Sequence, residues 1–498
     1  MAQAAQDGCA AAVIPDRTNA RNPGILVLGL GVVALFLWLP ALSTPFWGDD
    51  YLFLEGALAS RPRGESWWNP FWPDMRVQFW RPLGHETYWR FVEGILGADP
   101  WAAHLTNFTL WLLGCLSVGL LGATLARAVR WDRQALSGGL AAGVYAVSAI
   151  HFTPIHWTSS GDSLLIVLWS ALTLAAWLGA PLSKPSIRAL LCGSIPILQV
   201  LALFSKESAV LLPVLTLCLS AFAWERCRPG RPEMTAWFTC CALILVWLAL
   251  RESFVLPPAP EYAMVLEANV LRNAASLAAW GFNIPREALR MMIVGPRVDG
   301  ALWALAAALP MTAFIGLAGV PLVNRLSIRQ GAAVAIFVLV GYGPYFLLSW
   351  QSYEYYAQVA MIVPAVLLAR GLMLSTRAHV AMALFSLSSF VAVEGSRMLG
   401  YPSLIGRAHW GEEQLNDLAT GFDGAQATQD ISTPLLVNVS NPHQFHAIGR
   451  SGLAWRLALP ESDVAIVEGC EGEADGLLAF HAGTSSYVEC VAGEDDDL

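Results

Sequence analysis

Charged residues are scarce in this sequence, and their scarcity excludes a soluble globular protein. Only 13% of the 498 residues are charged, whereas 56% are hydrophobic. The apolar residues occur in long runs instead of the periodic stripes that soluble helices show. Because a helix needs roughly 20 apolar residues to cross a bilayer, the sequence, with about eleven such runs, predicts a polytopic membrane protein.

Signals for metal and nucleic-acid binding are also missing. None of the nine cysteines shows metal-ligand spacing, and no basic patch indicates a nucleic-acid partner. The net charge of −9 arises partly from the acidic residues 494–497 near the end of the chain. Cys470 and Cys490 both fall in the last hundred residues, where an oxidising compartment would permit a disulfide.

The apolar runs and the arginines between them predict a topology. The predicted spans are 24–42, 104–126, 136–153, 162–180, 189–204, 208–224, 235–250, 301–323, 331–349, 357–374 and 379–395. Arginine and lysine cluster in alternate connections, which predicts that these connections are cytoplasmic. Residues 43–103, 251–300 and 396–498 are then expected outside. A cleaved signal peptide ending near Ser43 is the alternative for the first span.

The last part of the chain differs in composition from the rest. Residues 396–498 combine turn formers such as Asn441-Pro442 with short apolar runs, which predicts a small mixed α/β domain. We find no nucleophile motif, phosphate loop or repeat in it. The expected organisation is therefore a membrane domain over residues 1–395 and an extracytoplasmic domain over residues 396–498.

Polar residues gather at the outer ends of the predicted spans. An ion near the hydrocarbon edge is costly unless it faces water or serves a site. We therefore expect these side chains to line one water-facing cavity roofed by the external loops. They are Asp49, Asp50, Arg81, His85, His104, Asn107, His151, His156, Asp162, Lys206, Glu207 and Tyr356.

These residue types suit a transfer reaction beside a membrane. A carboxylate can take a proton from an acceptor hydroxyl, and arginine and lysine can hold a phosphate leaving group. Each has a simpler interpretation as well: the Asp49-Asp50 pair as a helix N-cap, Arg81 as an anchor of the first loop, and Lys206 as a lysine reaching the interface. The histidines are equally compatible with interfacial hydrogen bonding.

Five short motifs occur in a fixed order along the chain. They are residues 79–83 (FWRPL), 104–107 (HLTN), 151–162 (HFTPIHWTSSGD), 203–207 (LFSKE) and 353–356 (YEYY). In this order they resemble the GT-C glycosyltransferases that use polyprenyl-phosphate sugars. The likeness is strongest to the transmembrane and tetratricopeptide-repeat O-mannosyltransferases and their bacterial relatives, although no such repeats follow here.

The resemblance implies an all-α, GT-C-like membrane fold of about 11 helices. It implies transfer of a hexosyl unit from a polyprenyl-phosphate donor to an acceptor hydroxyl with inversion, the acceptor being a glycan, a lipid or a protein. Asp49 or Asp50 would be the general base and Asp162 a second acidic contributor, while Arg81 and Lys206 would bind the donor phosphate. Weaker substrate contacts are expected from His85, His104, His156, Glu207 and Tyr356. No metal or other cofactor is predicted, since no ligand set is evident.

The expected location is the bacterial inner membrane, with the site and the C-terminus on the periplasmic side. The alternative function is a transporter or flippase of lipid-linked glycans, and a third is a non-catalytic scaffold. Transporters tend to carry internal repeats and binding groups near mid-membrane. Here we find no repeat, and the ionisable residues collect at one end of the spans instead.

Overall fold

The protein is mainly helical. A computed structural model describes residues 22–60, 64–73, 79–257, 259–349, 352–399, 404–426, 435–439, 447–467, 477–481 and 484–488. The first helices are α1 Pro23–Trp38, α2 Asp49–Ser60, α3 Tyr88–Gly94, α4 Pro100–Ala128, α5 Gln134–Val147, α6 Phe152–His156, α7 Gly161–Gly179, α8 Pro185–Leu203, α9 Leu212–Phe222 and α10 Arg231–Phe254. They are followed by α11 Asn269–Gly281, α12 Arg286–Val294, α13 Arg297–Val323, α14 Ile328–Gly341, α15 Gly343–Phe346, α16 Ile362–Leu374, α17 Ala378–Met398, α18 Leu404–Gln426 and α19 Gly449–Leu457.

Short helical turns connect several of these helices. A π-helical segment covers Pro82–Thr87. The 3-10 turns are Leu39–Ser43, Asn69–Phe71, Ala149–His151, Thr158–Ser160, Ala180–Leu182, Glu207–Leu211, Pro260–Tyr262, Glu354–Ala357 and Glu461–Asp463. Those that contribute to the site lie at the same end of the bundle as Asp49.

Many of the helices are long and apolar enough to cross a membrane. Seven described segments meet that test: Pro23–Ser43, Pro100–Ala128, Thr158–Leu182, Pro185–Leu203, Arg231–Phe254, Arg297–Val323 and Ala378–Met398. An eighth is the pair Gln134–Val147 and Ala149–His156, bent by 60°. Shorter apolar helices lie at Glu207–Phe222, Ile328–Gly341 and Ile362–Leu374. The protein is therefore a multi-pass helical membrane protein, and the count of eleven spans, which needs the three shorter helices to cross, stays a prediction.

Two predicted spans differ from the helices observed. The span predicted over 331–349 is helical only to Gly341, and the chain then turns through α15. Pro344 lacks the N–H that a continuing helix would use there. The span predicted over 136–153 breaks at Ser148, whose backbone is extended (ψ 135°). Both breaks lie at the end of the bundle that carries the predicted site.

One helix forms the centre of the bundle. In an 18-residue apolar window of the span Thr158–Leu182, 89% of the residues are buried, against 28% in the corresponding windows of α8, α10 and α13. α7 is therefore surrounded by protein, whereas the other three present much of their surface to lipid. α4 and α5 approach closely because Gly138 lies against Gly119, where a Cβ atom would come within 2.6 Å of a carbonyl oxygen.

The end of the bundle opposite the site is rich in arginine, and we call it the arginine end. Its connections are tied by ion pairs: Arg188 to Glu233 at 2.6 Å, Arg329 to Glu225 at 3.5 Å and Arg370 to Asp132 at 2.8 Å. These pairs join connections that the charge pattern assigns to one side of the membrane. That this side is cytoplasmic stays a prediction.

The C-terminal part contains a small sheet. The strands are β1 Leu435–Val439, β2 Val464–Val467, β3 Leu477–His481 and β4 Thr484–Val488, in the spatial order β2-β1-β3-β4. β1 is parallel to β2 and β3, while β4 is antiparallel to β3. Cys470 and Cys490, for which a disulfide was considered, lie outside the described residues.

Helices of this C-terminal part pack on the segment between α1 and α4. Leu415 of α18 and Leu453 of α19 share a hydrophobic cluster with Leu54 of α2 and Trp89 of α3. The backbone N–H of Gly48 donates to the carbonyl of Ala447 at 2.7 Å. The helices after residue 404 thus support the loop that carries Asp49 and Asp50.

Candidate active site

A cavity of about 1130 Å³ opens at the end of the bundle opposite the arginine end. Seven of the residues singled out in the sequence line it: Asp49, Arg81, His85, Asp162, Lys206, Glu207 and Tyr356. They come from α2, the π-helical segment, α7, the turn after α8, and the turn before α16. The structure therefore brings together groups that are up to 307 positions apart in sequence.

Close packing of the π-helical segment places Arg81 in the cavity. The N–H of Leu83 donates to the carbonyl of Phe204 at 3.0 Å, which ties this segment to the turn after α8. A Cβ atom on Gly84 would lie 2.6 Å from the carbonyl oxygen of Ser205 and 2.8 Å from Cβ of Asp162. Only glycine allows three chain segments to meet this closely.

Arg81 is the centre of an ion-pair cluster. Its Nη1 donates to Asp162 at 2.8 Å, and its Nε and Nη2 lie 2.7 and 2.6 Å from the same oxygen of Glu207. The arginine, predicted to bind the donor phosphate, is thus already paired with two carboxylates. These two pairs join the start of the π-helical segment to α7 and to the turn after α8, and binding of a donor phosphate by Arg81 stays a prediction.

Lys206 completes this cluster from the opposite side. Its Nζ lies 3.3 Å from Asp162 and donates to Ser163 at 2.6 Å. The ammonium also lies 4.9 Å from the ring centroid of Tyr355 and 5.7 Å from that of Tyr356. Burial lowers the pKa of Lys206, which the carboxylate of Asp162 opposes. Asp162 is therefore the shared counter-ion of two cations.

The two neighbouring aspartates have different environments. Asp50 is fully buried, and its carboxylate accepts hydrogen bonds from the N–H of Trp47 at 3.1 Å and from the N–H of Ser159 at 2.7 Å. Burial raises the pKa of Asp50 to about 7, although these hydrogen bonds lower it. Asp49 instead lines the cavity and is accessible from it, and burial among the surrounding protein raises its pKa too. Asp49 faces the cavity, and Asp50 fastens α2 to the turn before α7.

The predicted histidines divide between the cavity and the core. His85 lines the cavity, with Nε2 3.3 Å from Arg81 and the ring 4.5 Å from Phe53, and burial lowers its pKa. His104 and His156 are fully buried and do not line the cavity. Their Nδ1 atoms lie 3.0 Å from backbone carbonyl oxygens of the segment 152–155. For these two histidines the structure gives a supporting position in place of the predicted substrate contact.

Other cavity residues were missed in the sequence. Arg251, in the last turn of α10, lines the cavity, and its Nε makes no hydrogen bond to any described residue. The sequence did offer a signal for Arg251. It follows the predicted span 235–250 at the end where the short connections carry little arginine or lysine. Arg90, paired with Glu65 at 2.5 Å, lies at the lining as well. No pattern in the sequence indicates that pair.

Tyr345 is held in the cavity wall where α14 ends early. The Nδ2 groups of Asn269 and Asn273 donate to backbone carbonyls of residues 345–348, which no longer have helical partners. Tyr345 then stacks on Tyr356 with their ring centroids 4.1 Å apart. α11 thus fixes one aromatic wall of the site.

The cavity also has an apolar wall that reaches the lipid-facing surface. Its members are Trp247, Leu248, Leu256, Met264 and Leu348. Leu248 of α10 is 43% exposed and Met264 is 63% exposed, and α10 presents much of its surface outward. The wall offers a passage for an acyl or prenyl chain between the lipid and the charged cluster.

Comparison with known proteins gives a likeness among solved structures. No protein-family model matches the chain, and no curated protein matches it. Among solved structures it is similar to ArnT from Cupriavidus metallidurans in the apo state, with 13% identity over 89% of this chain and 86% of that one, and a TM-score of 0.49. A TM-score of this size does not by itself establish a common fold. Among the described residues, no group of three or more His, Cys, Asp or Glu side chains is arranged to hold a metal ion.

Proposed function

We propose that this protein is a membrane glycosyltransferase of the GT-C type. It moves a sugar from a polyprenyl-phosphate donor to an acceptor hydroxyl on the extracytoplasmic face. The supporting observation is one cavity that combines an accessible carboxylate, Asp49, with the cations Lys206 and Arg251 and an apolar wall open toward lipid. A lipid-linked sugar phosphate has the matching parts: a prenyl chain, an anionic phosphate and a polar sugar.

The donor phosphate is bound in this proposal by Lys206 and Arg251. The cluster of Arg81, Lys206, Asp162 and Glu207 has two positive and two negative groups, so its formal charge is zero. Arg251 adds a guanidinium whose Nε still has a hydrogen to donate. Arginine bonds phosphate oxygens well because its donors are fixed in a plane. Arg81 instead positions Asp162 and Glu207 around Lys206.

Asp49 acts as the general base. Its carboxylate takes the proton from the acceptor hydroxyl as the oxygen attacks the anomeric carbon. The bond from that carbon to the phosphate oxygen breaks, and its electron pair leaves with the polyprenyl phosphate. A single displacement inverts the anomeric centre through a transition state with oxocarbenium character. The raised pKa of Asp49 brings it closer to that of an efficient base near neutral pH.

The location proposed is the periplasmic face of a bacterial inner membrane. The arginine end, which carries the pairs from Arg188 and Arg329, would face the cytoplasm. The cavity and the C-terminal part then lie on the other side. Acceptors reaching the site from the periplasm include glycans, lipids and secreted proteins.

Transfer from a panel of radiolabelled polyprenyl-phosphate sugars to membrane extract tests the proposal. Purified wild type is compared with Asp49→Asn, Lys206→Ala and the control Glu225→Gln, whose side chain is 86% exposed at the arginine end. We expect Asp49→Asn to lose about 10²–10⁴-fold in rate, the usual contribution of a general base. The control should transfer at the wild-type rate.

Thermal unfolding in detergent checks that each variant is folded. Equal transfer by wild type and a folded Asp49→Asn would contradict the assignment of the base. If wild type uses no donor at all, the glycosyltransferase proposal fails, and a transporter of lipid-linked glycans becomes the better hypothesis.

A further inference from the structure

A second charged cluster lies outside the cavity, where the membrane part meets the C-terminal part. Arg286 and Arg290 of α12, Glu287 between them and Arg407 of α18 form it, and we call it the basic cluster. Arg290 lies 3.2 Å from Glu287, and Arg286 lies 3.3 Å from the same carboxylate. Arg407 interacts electrostatically with all three. Three guanidinium groups therefore surround Glu287, and the buried carboxyl group of Glu354 interacts with Arg286 as well.

The guanidinium groups of this cluster rest on aromatic faces. Arg286 lies 4.0 Å from the ring centroid of Tyr353, and Arg407 lies 5.5 Å from that of Trp47. Such stacking fixes the planar groups and leaves their edges free to donate. The Nε of Arg407 is buried and makes no hydrogen bond to any described residue. A buried guanidinium donor without an acceptor is costly, so this Nε, unpaired among the described residues, is suited to a bound acceptor group.

The basic cluster is adjacent to the proposed reaction centre. Arg407 stacks on the ring of Trp47. The ring centroid of Trp47 lies 5.1 Å from that of Trp157, and Trp157 lines the cavity. Trp47 also precedes Asp49 by two residues. Arg290 is 51% exposed, so the cluster is reached from solvent and not through the apolar wall of the cavity. Two approaches to Asp49 therefore differ in chemistry, one apolar and one basic.

We propose that the basic cluster binds an oxyanion, a phosphate or carboxylate group, carried by the sugar acceptor. The excess positive charge, the planar donors held on aromatic rings and the unpaired Nε of Arg407 all suit such a group. An acceptor held there would present a neighbouring hydroxyl toward Asp49. The assignment of the oxyanion to the sugar acceptor rests on the proposed function. The oxyanion site itself rests only on the residues of the basic cluster.

Binding of radiolabelled inorganic phosphate tests the site without relying on transfer. Full-length protein is placed in nanodiscs of phosphatidylcholine, which has no net charge. Arg407→Gln should weaken binding about tenfold, the scale of one hydrogen bond between charged groups. Arg329→Gln, an arginine that is 45% exposed at the arginine end, is the matched control and should bind as wild type does. Arg407→Lys, which keeps the charge, should recover part of the affinity.

Phosphate can also enter the cavity, so Arg251→Gln is measured in parallel. The phosphate bound by the basic cluster should survive that substitution. Arg290 provides a second variant because its side chain is 51% exposed and its replacement leaves the core unchanged. Arg290→Gln should also weaken binding. Unchanged affinity in both Arg407→Gln and Arg290→Gln would overturn the proposal, whatever the transfer assay shows.

Two further arms distinguish the source of the oxyanion. In the transfer assay, phosphate should raise the apparent KM for acceptor in wild type and raise it about tenfold less effectively in Arg407→Gln. Competition with the donor phosphate in the cavity should be the same in the two proteins, so the KM for donor should respond equally in both. A lipid headgroup as the occupant would give two different results. Phosphatidylglycerol nanodiscs would abolish phosphate binding, and the KM for acceptor in Arg407→Gln would equal that of wild type. The assignment to the acceptor would then be wrong. If only the transfer assay fails, the oxyanion site stands and the proposed function does not.

Discussion

One ion pair from each end of the helical bundle shows how differently the same residue types are placed in this protein. At the arginine end, Arg329 and Glu225 are 45% and 86% exposed and lie 3.5 Å apart. At the other end, Arg81 and Asp162 are 13% and 4% exposed and lie 2.8 Å apart beside a cavity. An exposed pair contributes about 0–1 kcal/mol, whereas a buried pair is costly to assemble and costly to break. The exposed pair links two connections at the surface of the bundle, whereas the buried pair belongs to the charged cluster that lines the cavity.

Removing one cation from each end sharpens this comparison most. Arg81→Gln leaves Asp162 and Glu207 without their guanidinium, so we expect a loss of roughly 3 kcal/mol in unfolding free energy and a clear drop in melting temperature in detergent. Arg329→Gln should change stability by less than about 0.5 kcal/mol, as surface substitutions usually do.

As a control, the helical content of both variants is measured at low temperature and should equal that of wild type, which shows that both are folded before they are heated. If Arg81→Gln melted like Arg329→Gln, the cluster around Arg81 would contribute no more than a surface pair does. The distinction between the two ends would then be lost.

The spans were predictable because the bilayer imposes a length that apolar runs must meet. Each predicted span overlaps an apolar helical segment, including the long ones at α4 and α13. The breaks at Ser148 and Gly341 were not predicted, since hydropathy does not register where a helix stops short. After the break at Gly341, the backbone carbonyls of Leu347 and Leu348 accept hydrogen bonds from Asn269 and Asn273. Such distant partners are not visible in a local sequence pattern.

The convergence of the site was predictable from the rule that polar residues at span ends share one water-facing region. Asp49, Arg81, Asp162 and Lys206 do line one cavity. What each side chain contacts was not predictable, because pairing depends on distances across the bundle. The sequence offered no reason to separate Asp49 from Asp50, and only the hydrogen bonds from Trp47 and Ser159 separate them.

Gly84 tests whether the close packing at the cavity end is required. Gly84→Ala places a Cβ atom 2.6 Å from the carbonyl oxygen of Ser205, so the π-helical segment and the Lys206 turn must move apart. We expect a loss of about 1–3 kcal/mol, as for other overpacked sites, together with slower transfer. Gly193→Ala in α8, where nothing lies within 4 Å, is the control and should be neutral or slightly stabilising. Equal melting temperatures for the two variants would contradict the packing account.

The pH dependence of transfer separates the two aspartates by a smaller effect. A general base must be ionised, and burial raises the pKa of Asp49, so kcat/KM should fall as the pH drops through that raised pKa. Asp50, with a pKa raised to about 7, would produce an acid limb of the same sign if it were the base. Asp50→Asn decides between them, because it removes the titration of Asp50 and leaves Asp49 in the cavity. We expect the acid limb to persist in Asp50→Asn and to move in Asp49→Glu. A limb that vanishes in Asp50→Asn, in a variant that still folds, would transfer the role of base to Asp50 and would make Asp49 a cavity residue that only binds substrate.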